Sequence, residues 1–226
     1  MYKNIEVLDK NKHGGVKFDE VAEVTVAKNI GVVPIGVNEV FDMCSIAPVI
    51  ISAGDSGEFV AFTGLSNTTT IYNNDNLYVP KFIKAYPFLN IDAKDEKGNP
   101  NPVIAIDNNQ ECVGTNKKNA ILNKKGEPEK LAAAKMEIVR ELNSYREISK
   151  KIVQELKSKN LLEKKDFRVN ANGEEKIVLK EFYTINRDEL VKQDDKTLAL
   201  WARKGWMSII DAHVKSLGNF EKLLVK

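Results

Sequence analysis

The spacing of apolar residues changes character about half-way along the chain. As far as residue 113 they come in short runs bounded by Gly, Pro, Asn and Asp, a pattern that predicts strands and turns. Residues 22–27 (Ala-Glu-Val-Thr-Val-Ala) alternate and predict a half-buried strand. Residues 32–37 are apolar and β-branched, and Pro34 places them at a sheet edge or strand end. Residues 38–43 predict one or two helical turns capped by Asn38. Residues 48–52 and 58–63 read as a hairpin around the turn at 53–57. Pro80 suits the first turn of a short helix over residues 79–86, and residues 88–91 and 103–107 are two further strands.

Beyond a polar connector at residues 116–130 the period lengthens. Leu131, Met136, Ile138, Val139, Leu142, Tyr145, Ile148, Ile152, Val153 and Leu156 form one stripe on a predicted helix over residues 128–159. Glu147 with Lys151 and Glu155 with Lys159 are favourable i,i+4 pairs, but each contributes only about 0.2–0.5 kcal/mol. Burial of the stripe must therefore hold the helix. Residues 167–180 predict a hairpin turning at Asn172-Gly173. Asn186 with Glu189 fits a capping box, and Asp194 or Asp195 can cap the next helix. In the last helix Trp206, Ile209, Ile210, His213, Val214 and Leu217 share a face, with Gly218 placed to end it in a left-handed turn.

These elements predict an α+β fold: an N-terminal mixed or antiparallel sheet region packed against C-terminal helices, with a small hairpin. We expect one domain over residues 1–226, β-rich at 15–115 and mainly helical from 131. Length supports this, because 226 residues are enough to bury a sizeable core without disulfide staples.

Charge narrows the partners. Lys and Arg number 34 against 32 Asp and Glu, whereas a duplex-DNA binder needs a basic excess to neutralise phosphates. The C-terminal half is basic (23 against 17 over residues 124–226), which a solvated helix surface accounts for. DNA is therefore disfavoured as a partner. No apolar leader stands at Met1–Glu6, which predicts a cytoplasmic protein, with signal-independent export to the cell surface as the alternative. The most apolar stretch, residues 30–53, is broken by Asn38, Glu39, Asp42, Pro34 and Pro48, so no transmembrane segment is expected.

Candidate chemistry is sparse. Phosphate-loop, dinucleotide, zinc-protease and nucleophile-elbow patterns are absent. Cys44 and Cys112 are most simply buried, reduced thiols, and with His13 and His213 they lack the short spacings of a structural zinc site. No catalytic residue, metal or cofactor is assigned. His213 lies in an apolar stripe, where it is either a core histidine or a base or ligand. Tyr86-Pro87-Phe88 either packs a loop on the sheet or forms a ligand slot, and Asp107 follows an apolar strand, where carboxylates make turns or bind ligands.

Taken in order, several elements resemble the SapC family of bacterial surface-layer-associated proteins. They are Val33-Pro34, Glu39-Val40-Phe41, Ala47-Pro48-Val49-Ile50, Phe62-Thr63-Gly64-Leu65, Tyr78-Val79-Pro80, Tyr86-Pro87-Phe88, Ile104-Ala105-Ile106-Asp107 and the ending Ala212-His213-Val214-Lys215-Ser216-Leu217-Gly218-Asn219-Phe220. Ala85 stands where family members tend to have Arg. The resemblance implies a link to surface-layer or cell-envelope components and carries no established reaction. The expected function is a non-enzymatic accessory or binding protein. The alternative is an enzyme or small-ligand binder with a pocket of His213, Asn219, Tyr86 and Asp107, Phe88 beside them.

Overall fold

A computed structural model describes residues 2–223 apart from 55–56, 67–68, 74–76, 94–96, 99–100, 110 and 172–173. The fold is α+β. The chain divides into two compact units, each built from two separate stretches: residues 1–29 with 79–143, and residues 30–78 with 144–226.

In the first unit, strand Val103–Asp107 lies between Ile5–Val7 and Phe88–Ile91, antiparallel to both. A second small sheet places Lys17–Phe18 between Val113–Gly114 and Asn119–Ala120. Phe18 and Phe88 are fully buried and meet edge to face at 5.4 Å, which joins the two sheets through one aromatic contact. The first half of helix Lys130–Ser158 belongs to this unit and buries Ala132, Met136, Val139 and Leu142. Glu141 of that helix pairs with Lys81, and Lys135 donates to the Lys84 carbonyl at 2.8 Å. Helix Lys81–Lys84 follows Pro80 at its cap, as the sequence predicts.

The second unit is organised on a five-stranded antiparallel sheet in the order Leu162–Ala171, Glu174–Ile185, Val49–Ile51, Phe59–Phe62, Val32–Pro34. Pro34 sits on the edge strand, where its missing N–H costs no ladder bond. Ile50, Val60 and Phe182 form a core against which Phe167, Leu179, Leu217 and Phe220 pack. The C-terminal helix Trp206–Ser216 rests on Val49–Ile51, on Glu174–Ile185 and on helix Val40–Cys44. The second half of the long helix buries Ile152, Val153 and Leu156, and Arg146 grips Glu58 at 2.7–2.8 Å. Asn186 and Asp194 cap helices Arg187–Leu190 and Asp195–Arg203 as predicted. Trp201 and Trp206 lie on successive helices turned by Gly205 (φ 73°), and their rings meet at 6.4 Å.

Five local expectations are corrected. Residues 22–27 form no strand but contain helix Glu23–Ala27: the Thr25 and Val26 N–H groups bond back to the Ala22 carbonyl, and neighbouring Val26 and Ala27 are both buried, which a one-faced strand forbids. The connector at 116–130 is not only a linker, because Asn119–Ala120 adds a strand and Ile121 and Leu122 are core. Asn38 caps nothing. Its place is taken by Glu39, whose carboxylate accepts from the Gly36 N–H at 3.0 Å. Gly218 does not turn left-handed; the chain tightens into a 3-10 helix over Leu217–Leu223 that keeps Asn219 buried. The hairpin is longer than residues 167–180 and supplies two strands of the main sheet. Its predicted turn at Asn172-Gly173 lies outside the described residues.

Candidate functional site

Tyr86, Phe88 and Asp107 come together in the first unit. The chain leaves helix Lys81–Lys84, passes a cis Tyr86–Pro87 peptide and enters strand Phe88–Ile91. The Tyr86 hydroxyl donates to Asp107 Oδ2 at 3.1 Å, and the Cys112 thiol donates to the Tyr86 oxygen at 3.3 Å. Asp107 Oδ1 accepts from the backbone N–H groups of Lys3 and Asn4 at 3.1 and 2.8 Å. Tyr2, beside Tyr86 at 5.5 Å between ring centroids, donates to the Phe88 carbonyl at 3.0 Å. Asp107 is fully buried and satisfied by three donors. Burial pushes the Tyr2 and Tyr86 phenols far above their ordinary range and raises the Cys112 thiol. All three stay protonated at neutral pH, and a protonated thiol is no nucleophile. The cluster fastens the N-terminal strand to the sheet.

His213 and Asn219 sit in the second unit, where they and Ser216 all bind backbone. His213 Nε2 accepts from the Ile185 N–H at 3.2 Å, so its proton is on Nδ1, which has no hydrogen-bond partner among the described residues. Burial lowers its pKa to about 4, and the ring is neutral at pH 7. Ser216 Oγ accepts from the Val49 N–H at 2.8 Å. Asn219 Nδ2 donates to the carbonyls of Cys44 and Ala47 at 2.8 and 3.2 Å. Phe220 packs on Phe167 at 4.3 Å and on Phe182 at 5.7 Å. The tail is thereby locked onto the corner between helix Val40–Cys44 and strand Val49–Ile51.

A third polar cluster escaped the sequence reading. Glu39 is fully buried. One carboxylate oxygen takes the Gly36 N–H and the other takes the Tyr78 hydroxyl at 2.8 Å, while Tyr72 donates to the Tyr78 carbonyl at 3.1 Å. Burial and the facing carboxylate push both phenols up. A lone glutamate in the apolar run Val37-Asn38-Glu39-Val40 was the available signal: such a charge needs a buried partner, though its place in sequence does not say which.

Among the described residues no three His, Cys, Asp or Glu side chains stand close enough to hold a metal ion, and no helix is long and apolar enough to cross a membrane. The SapC sequence profile matches residues 8–223, nearly the whole chain. The chain belongs to the SapC family. No curated protein and no solved structure matches it significantly.

Several of the elements that carried the SapC resemblance make hydrogen bonds that hold separate segments together within one unit or the other. Glu39-Val40-Phe41 and Tyr78-Val79-Pro80 are tied by the Glu39–Tyr78 hydrogen bond. Tyr86-Pro87-Phe88 reaches the Asp107 that ends Ile104-Ala105-Ile106-Asp107. The SapC ending spends His213, Ser216 and Asn219 on backbone groups. Ala85, just before Tyr86-Pro87-Phe88, is buried, and its carbonyl accepts from the Phe88 N–H at 2.9 Å.

Proposed function

We propose that this SapC chain is an accessory binding protein of the bacterial surface layer, acting through contacts with envelope components and not through a reaction of its own. Family membership supports the surface-layer connection. The observation that carries the preference for binding is the fate of Asp107 and His213. Both are fully buried, with hydrogen bonds directed at their own unit. Large apolar side chains are meanwhile left on the surface. Phe41 is 50% exposed beside the buried Glu39 and Val40, Val191 is 74% exposed, and Ile5 and Val7 project from one face of an edge strand.

The test is co-sedimentation of the purified protein with isolated cell envelopes, before and after the surface layer is stripped. Retention only by layer-bearing envelopes supports the reading, and equal retention or none defeats it. A ligand site at His213 and Asn219, within the second unit alone, is the alternative, favoured by the His213 Nδ1, which makes no hydrogen bond among the described residues. It requires His213→Ala to abolish ligand binding with the fold intact. A purely structural histidine requires the same variant to unfold at lower temperature.

A further inference from the structure

A cavity of about 160 Å³ opens in the second unit, at the Ile51 end of the main sheet. Its apolar wall includes Ile51 and Val153, which come from strand Val49–Ile51 and the long helix. Gly57 makes their approach possible: its φ is +57°, and a Cβ there would fall 2.6 Å from Val153 Cγ1. The size is that of a pocket which accepts one benzene-sized body, about 150 Å³, and is well below that of a drug-sized site.

The polar lining is one-sided. Lys157, Ser52, Asn160 and Tyr183 line the cavity, and no carboxylate does so among the described residues. Ser52 Oγ already accepts from the Glu58 N–H at 3.0 Å, which leaves its own proton to donate. At the helix end beside Lys157, the carbonyls of Glu155, Leu156 and Lys157 already accept from the N–H groups of Lys159, Leu161 and Asn160, and the Lys157 ammonium offsets the negative end of the dipole. Lys157 has no ion pair among the described residues, so its ammonium is available to a ligand.

We propose that this cavity binds a small organic carboxylate, its apolar body against Ile51 and Val153 and its charge on Lys157, with the Ser52 and Tyr183 hydroxyls and the Asn160 amide as further donors. An apolar slot with donors and a single cation at its rim matches that chemistry, because a carboxylate gains a charge-assisted hydrogen bond that a neutral or cationic ligand does not. The site is independent of the surface-layer reading and can fail or stand without it.

The experiment uses benzoate as the probe and benzyl alcohol as its uncharged counterpart, with binding to the full chain followed by NMR titration. Benzoate should bind saturably and benzyl alcohol at least about tenfold more weakly, the worth of one charge-assisted hydrogen bond. Lys157→Gln, at an exposed position, should weaken benzoate by about tenfold without moving the melting temperature. Val153→Phe should abolish binding by filling the cavity; if it fails to fold, Tyr183→Phe, expected to weaken benzoate severalfold, replaces it. Absence of saturable binding, equal affinity for the alcohol, or full benzoate affinity in the Lys157→Gln protein would each overturn the proposal.

Discussion

The two units solve the same problem, fastening a remote segment to a sheet, with opposite electrostatics. In the first, a buried carboxylate at Asp107 gathers backbone N–H groups of Lys3 and Asn4 and the phenol of Tyr86. In the second, the C-terminal tail is fastened by neutral groups, an imidazole, a hydroxyl and an amide, each on a backbone group, while the buried carboxylate of that unit, Glu39, holds Tyr78 instead. A buried anion draws several donors to one point, so its knot is strong and depends on one residue. The neutral lock spreads its bonds over residues 213–219 and should yield piecemeal, but its imidazole makes it sensitive to acid.

Asp107→Ala tests the strong knot. It strands three donors and should cost about 3–4 kcal/mol, read as a loss in urea stability together with faster hydrogen exchange at Lys3 and Asn4. A loss below about 1 kcal/mol would mean that water replaces the carboxylate and that the contrast between the units is false. Acid tests the other side. An ordinary histidine titrates at 6.5, whereas folded His213 does so at about 4, so below pH 6.5 the unfolded chain binds the extra proton. The contribution is therefore whole above about pH 6.5 and is lost as the pH falls towards 4, on the order of 3 kcal/mol. Denaturation at about pH 7 and about pH 4.5 should show this loss in the natural chain and not in His213→Gln. Asn219→Ala is the mildest break. Its two carbonyl partners can take water in part, and a cost of about 1–2 kcal/mol, measured by thermal unfolding, is expected.

Elements with a repeated signal were the legible ones. The long helix, the Asn186 and Asp194 caps and the strand at Val103–Asp107 each rest on several residues pointing the same way. The failures were short. Six alternating residues at 22–27 fit a strand and a helical turn alike, and only the packing of adjacent Val26 and Ala27 decides between them. Ile148 falls on the predicted stripe and is exposed, because a single stripe drifts around so long a helix. The sequence does not say how the candidate residues group: Tyr86 meets Asp107 at the end of a neighbouring strand, and His213 is read only once Ile185 is known to face it. The cavity was invisible for the same reason, since its lining is drawn from three stretches of chain.

The interleaving of the two units along the sequence has a consequence for birth on the ribosome. Residues 30–78 emerge early, but the asparagine that closes over the Cys44 and Ala47 carbonyls follows Ala47 by 172 positions. At cellular rates of translation that is a wait of roughly ten to thirty seconds with a nascent sheet half-finished. A message truncated just before Asn219 would yield a nearly full-length polypeptide whose Cys44 and Ala47 carbonyls lack their closing amide.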